Sequence, residues 1–144
     1  MGVVRYYSED IHFKLSESRK ISRWIKSILA KEKVDFSFIN YIFCSDKYLL
    51  DLNKRYLSHN EYTDIITFQL NEEDEVIESE IYISIDRVRE NSREFGTSFS
   101  NELHRVMAHG VLHLAGYRDK KPSEKALMRK KETAYLSLRK FSFT

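Results

Sequence analysis

His109 and His113 stand four residues apart in the run His109-Gly-Val-Leu-His113-Leu-Ala-Gly116-Tyr-Arg-Asp119. On a helix, that spacing projects both imidazoles from one face about a turn apart. Two Nε2 atoms so placed can ligate one metal ion. Gly116 follows three residues later, where a residue without Cβ can take positive φ and reverse the chain. The reversal can return Asp119 to the same ion. Two nitrogens and one carboxylate leave a fourth tetrahedral position open for water, the pattern of a catalytic rather than a structural zinc. The expected ligands are therefore His109, His113 and Asp119, with one Zn2+ per chain.

The zinc protease pattern H-E-x-x-H-x-x-G-x-x-H/D has the same ligand and glycine spacing. Its general-base glutamate, however, falls here on Gly110, which has no side chain to activate water or protonate a leaving amine. The metal site is protease-like and the catalytic apparatus is not. At about 100° per residue, His104 lies opposite His109 and His113 and is expected at the surface. Glu102, seven before His109, shares the ligand face two turns away, as a support for the ligands or as a simple helix-start carboxylate. His12 and His59 fall in segments expected to be non-helical, and spacing assigns them nothing.

Several elements must position these groups. Residues 3–7 read as a short strand, and Ile21, Trp24, Ile25, Ile28 and Leu29 follow the spacing of a buried helix stripe. Residues 36–44 are β-branched and aromatic, a strand. Ser45 is a plausible N-cap for a helix through about Arg55, with Leu49, Leu52 and Tyr56 inward. Residues 63–70 and 76–85 read as strands joined by an acidic, solvated connection. A short helix over 86–95 ends at Gly96. Ser98 or Ser100 caps the histidine helix, which runs to about Ala115. Pro122 opens a last helix through about Leu138, with Ala126, Leu127, Ala134, Tyr135 and Leu138 as its apolar positions. The sum is α+β: roughly four strands with helices packed mainly on one face.

The chain has 144 residues, 42% of them apolar and 32% charged, which suits one domain over 1–144 with a real core and excludes wholesale disorder. Cys44 is the single cysteine, so no internal disulfide framework holds the fold. No apolar run approaches a membrane span, the N-terminus has no apolar signal segment, and the plain expectation is cytosolic. The net charge of +2 hides an asymmetry: six acidic residues crowd 72–80, leaving +8 on the rest, concentrated in 19–33 and 120–131. Such basic surface attracts polyanions such as RNA, or is an ordinary solvated helix face.

At the histidine run the sequence resembles the YbeY family of metal-dependent endoribonucleases, which act in ribosomal RNA maturation. The family signature H-G-x-L-H-L-x-G-Y-D-H reads HGVLHLAGYRD over 109–119. Leu52-Asn53 followed by Thr63-Asp64-Ile65-Ile66-Thr67-Phe68 is similar to the family's L-N…T-D-V-L-S-F. Glu80-Ile81-Tyr82-Ile83 is similar to its G-D-I-x-I strand, and Glu102-Leu103 to the E-L before the histidine helix. The third ligand, usually histidine in the family, is Asp119 here, and the arginine expected five residues after the L-N leucine is Leu57. The resemblance implies a mixed sheet over a zincin-like metal helix. The implied activity is zinc-dependent cleavage of single-stranded RNA, in maturation of the small-subunit rRNA 3′ end on rRNA or ribosomal particles. Arg55 is the expected replacement for the missing catalytic arginine, with His59 and Arg118 as other candidates. Lys120, Lys121 and Arg129 are expected to hold RNA phosphates. Hydrolysis of another substrate such as peptide, and ribosome binding with a structural metal, remain the alternatives.

Overall fold

A computed structural model describes residues 2–72 and 75–140; Glu73 and Asp74 of the acidic run lie outside the described residues. The elements follow in the order β1 (Val3–Ser8), α1 (Ser18–Lys31), β2 (Phe36–Cys44), α2 (Asp46–Leu57), β3 (Ile65–Gln69), β4 (Ile77–Ser84), α3 (Ile85–Phe95), α4 (Phe99–Leu114) and α5 (Pro122–Ser137). The strands form one mixed sheet in the order β1-β2-β4-β3. β1, β2 and β4 run parallel, while β3 lies antiparallel to β4 at the sheet edge, with Thr67 opposite Ile81. This is the α+β fold with a four-stranded mixed sheet that the sequence implies.

Alternation decides which side of the sheet is dry. Ile39, Tyr41, Phe43, Ile81 and Ile83 point into the main core against α1 and α4. The α1 stripe of Ile21, Trp24, Ile25, Ile28 and Leu29 is buried as its spacing requires. The other face carries α2, where Leu49 packs with Cys44 and Ile66. Ser45 caps α2 by accepting from the Tyr48 N–H at 3.1 Å, and Ser98, not Ser100, caps α4 by accepting from the Asn101 N–H at 3.0 Å. No helix of the described residues is long and apolar enough to cross a membrane.

Side-chain placement differs from the expectation on α2, α4 and α5. Tyr56, in the last turn of α2, is 61% exposed, its ring meeting Phe68 at 6.0 Å in a T-shaped contact. His104 is buried, because α4 is enclosed on nearly every side: its far face packs on α1, with the Trp24 ring 5.9 Å away. On α5, Ala126, Leu127, Ala134 and Leu138 are exposed, Tyr135 alone of the expected positions is buried, and the buried stripe is Met128, Glu132, Tyr135 and Leu136. A glutamate among the inward residues disguises that stripe to a hydropathy reading.

Gly110 is where α4 meets the sheet. A Cβ there would stand 3.0 Å from Ile65 Cδ1 and 3.1 Å from Ile81 Cδ1. The missing side chain lets the histidine helix lie against β3 and β4.

Candidate metal centre

His109 and His113 project from α4 one turn apart, their rings 4.7 Å between centroids and steeply inclined. The helix closes through Gly116, at φ +105, whose N–H donates to the His113 carbonyl at 3.0 Å, while the Tyr117 N–H donates to the Leu112 carbonyl at 3.1 Å. The reversed chain then delivers Asp119. Its Oδ2 lies 3.1 Å from His109 Nε2 and 3.3 Å from His113 Nε2.

The donor set fits a tetrahedral cation. Bonds of about 2.1 Å place tetrahedral donors about 3.4 Å apart, close to the two separations observed. Ligand atoms from all three residues lie within 4.8 Å of one another. His109 Nδ1 is 2.6 Å from Glu132 Oε2. With its proton donated there, Nε2 presents a lone pair toward the Asp119 carboxylate, so two electron-rich atoms converge where a cation would sit.

Sequence reasoning missed Glu132, the carboxylate that contacts His109 from α5. Nearly buried on α5, it joins His109 through Oε2 and accepts from Arg105 Nη1 through Oε1 at 3.0 Å. Arg105 also donates to Thr133 Oγ1 at 3.2 Å. The available signal was a carboxylate on the 128/132/135/136 stripe, inward in a helix otherwise rich in exposed charge. Burial opposes an imidazolium at His109, but the Glu132 hydrogen bond and charge, with Asp119 and Asp64, outweigh it and raise the pKa. The same negative field favours a metal cation.

This cluster opens into a cleft of about 890 Å³ between β3, α4 and α5, with the α2–β3 loop and α3 along its rim. Glu102 is buried yet lines the cleft, on the ligand side of α4 as its position in the helix suggests. Burial, then the nearby Asp64 charge, push its carboxyl pKa up; burial likewise raises Asp64, against the pull of His109. Arg129 lines the cleft, joined by Lys125, whereas the Lys120 and Lys121 side chains are exposed outside it and their N–H groups donate to Glu124. Arg55 is not brought to the site. It is exposed near the end of α2 with its guanidinium 6.0 Å from the Tyr56 ring, and Leu57 and His59 line the cleft instead. Arg118 is exposed and outside the lining.

Comparison with known proteins places the chain in a family. The family model described as Endoribonuclease YbeY matches residues 5–140. Proteins of that name from Cytophaga hutchinsonii and Flavobacterium psychrophilum are 50% and 46% identical, covering 94% and 92% of this chain and 95% and 94% of their own. A solution structure from Thermotoga maritima is similar at a TM-score of 0.64 and 32% identity, covering 93% of this chain and 87% of that one. With these matches spanning nearly its whole length and including the histidine helix, the chain belongs to the Endoribonuclease YbeY family.

Proposed function

We propose that this member of an endoribonuclease family is a zinc-dependent enzyme that cleaves single-stranded RNA in the cytoplasm, in maturation of the small-subunit rRNA 3′ end on rRNA or ribosomal particles. The observation that carries the reading is the convergence of His109, His113 and Asp119 in an open cleft that Lys125 and Arg129 also line. When bound there, zinc would supply Lewis acidity toward a phosphoryl oxygen and an attacking water. The chain's own groups do the rest. Glu132 holds the His109 proton at Nδ1 and so fixes the tautomer that offers Nε2. Arg105 neutralises Glu132 and orients its second oxygen. Arg129 and Lys125 attract phosphates into the cleft, and Lys120 and Lys121 extend that field beyond its edge.

Gly110 favours RNA over peptide as substrate. The position that would carry a peptidase's base is a glycine packed against Ile65 and Ile81, so this chain has no carboxylate there to act as that base. The test compares the purified chain on a single-stranded RNA, its duplex and an unstructured peptide, with and without chelator. Cleavage of the single strand, abolished by chelator and restored by zinc, is the expected result. Chelator-insensitive RNA cleavage would remove the metal from the reading; chelator-sensitive peptide cleavage alone would replace the substrate.

A further inference from the structure

Tyr62 and Phe95 are 57% and 59% exposed, and both line the cleft that holds the histidine–aspartate cluster. Single exposed aromatics are ordinary on a protein surface. Two in the one cleft that holds the cluster, one from the α2–β3 loop and one from the end of α3, make a built feature.

Tyr62 is also braced. The Arg87 guanidinium lies 5.2 Å from its ring centroid. Arg87 is itself fixed, donating to Asp46 from Nη2 at 2.7 Å and from Nε at 3.4 Å, while Ser84 Oγ donates to the same carboxylate at 3.0 Å. The guanidinium thus supports the ring electrostatically and limits its motion. Lys125 and Arg129, on α5, supply positive charge within the same cleft.

We propose that Tyr62 and Phe95 form a stacking subsite for unpaired nucleobases of single-stranded RNA, with the flanking phosphates held by Arg129 and Lys125. This rests on the RNA-cleaving reading above and gives it a substrate-binding surface. Bases in a duplex are stacked on each other and cannot lie on a protein ring, so the subsite selects single strands. Every base has a π face, so it selects little among sequences.

The experiment measures binding of the full chain and its Tyr62→Ala, Tyr62→Trp, Tyr62→Leu and Phe95→Ala variants to a labelled 2′-O-methyl RNA decamer and to an abasic decamer of equal charge. Tyr62→Ala and Phe95→Ala should each weaken the base-bearing strand about 5- to 100-fold. Tyr62→Trp should retain affinity, and its indole fluorescence should change on binding. Tyr62→Leu, apolar but not aromatic, should bind as Tyr62→Ala does. On the abasic strand all variants should match the unaltered chain. Equal losses on both strands would overturn stacking in favour of a contact to the backbone. Unaltered affinity in both alanine variants would also overturn it, and would give these rings to a protein partner or to no ligand. If the unaltered chain binds neither strand, the RNA reading itself fails.

Discussion

Asp119 follows a glycine turn and brings to His109 and His113 the carboxylate that α4 does not supply, so its replacement separates a ligand from a turn residue. Asp119→Ala leaves two imidazoles, and zinc affinity should fall by more than the removal of any supporting group. Asp119→His can keep the ion, since imidazole nitrogen and carboxylate oxygen bind zinc at nearly the same distance, about 2.0–2.2 Å. Glu132→Gln keeps an oxygen for the His109 Nδ1 proton but loses the charge and leaves Arg105 without its anion. Its expected cost is about 10- to 100-fold in zinc affinity. Competition against a chelator of known strength measures all three. Zinc binding by Asp119→Ala equal to that of the unaltered chain would reduce Asp119 to a turn former. Zinc binding by Glu132→Gln at full strength would mean that Glu132 is only the anion of Arg105.

At the scale of elements, the position of α4 against the sheet depends on Gly110, whose absent Cβ leaves the Ile65 and Ile81 methyls in contact range of the helix. Gly110→Glu completes the protease motif on paper, yet it forces a carboxylate between two isoleucines. The expected loss is about 3 kcal/mol or more in denaturant unfolding, with no gain of peptidase activity. Stability equal to that of the unaltered chain would show that the helix can lift from the sheet at little cost. A second device ties α1 to the metal turn. The Glu32 carboxylate, at the C-terminal end of α1, accepts from the Tyr117 hydroxyl at 2.8 Å and the Tyr135 hydroxyl, and pairs with Lys131 at 3.3 Å. Tyr117 lies two residues before Asp119. Glu32→Ala should therefore cost about 1–3 kcal/mol and also lower zinc affinity. A stability loss with full zinc affinity would separate this cluster from the turn. These elements also show what was legible in the sequence. The convergence of His109, His113 and Asp119 rests on local spacing around Gly116 and the Ser45 cap on local chemistry, so both could be read directly, whereas local chemistry left the α4 cap between Ser98 and Ser100. Glu132 could not, because its partner is 23 residues away on another helix and its burial runs against its polarity. The strand order is set by which edges pair across the crossovers, which no local pattern encodes.

Enclosing α4 within the molecule has a consequence for how the whole fold responds to acid. His104, 4% exposed, has Nδ1 2.7 Å from Arg139 Nη1 and packs beside Trp24. Arginine only donates, so the ring accepts and must be neutral. Burial, then the Arg139 charge, push its pKa down from 6.5 to about 4. The unfolded chain therefore binds a proton on His104 between pH 6.5 and 4 that the folded chain refuses. Across that window falling pH favours the unfolded state over the folded one. The contribution of His104 is fully favourable above pH 6.5 and is lost as pH falls toward the folded value, by up to about 3 kcal/mol. His109 has the opposite sign in the metal-free chain, because its raised folded pKa adds stability at low pH that is lost as pH rises through that value. The two are separated by comparing the unaltered chain with His104→Asn, whose Oδ1 can still accept from Arg139. Urea unfolding at pH 7.5, 6, 5 and 4 should show His104→Asn less stable at pH 7.5, with the gap closing or reversing by pH 4. Parallel pH profiles for the two chains would mean that His104 titrates normally in the fold, and that α4 is open to water on the face where it meets α1.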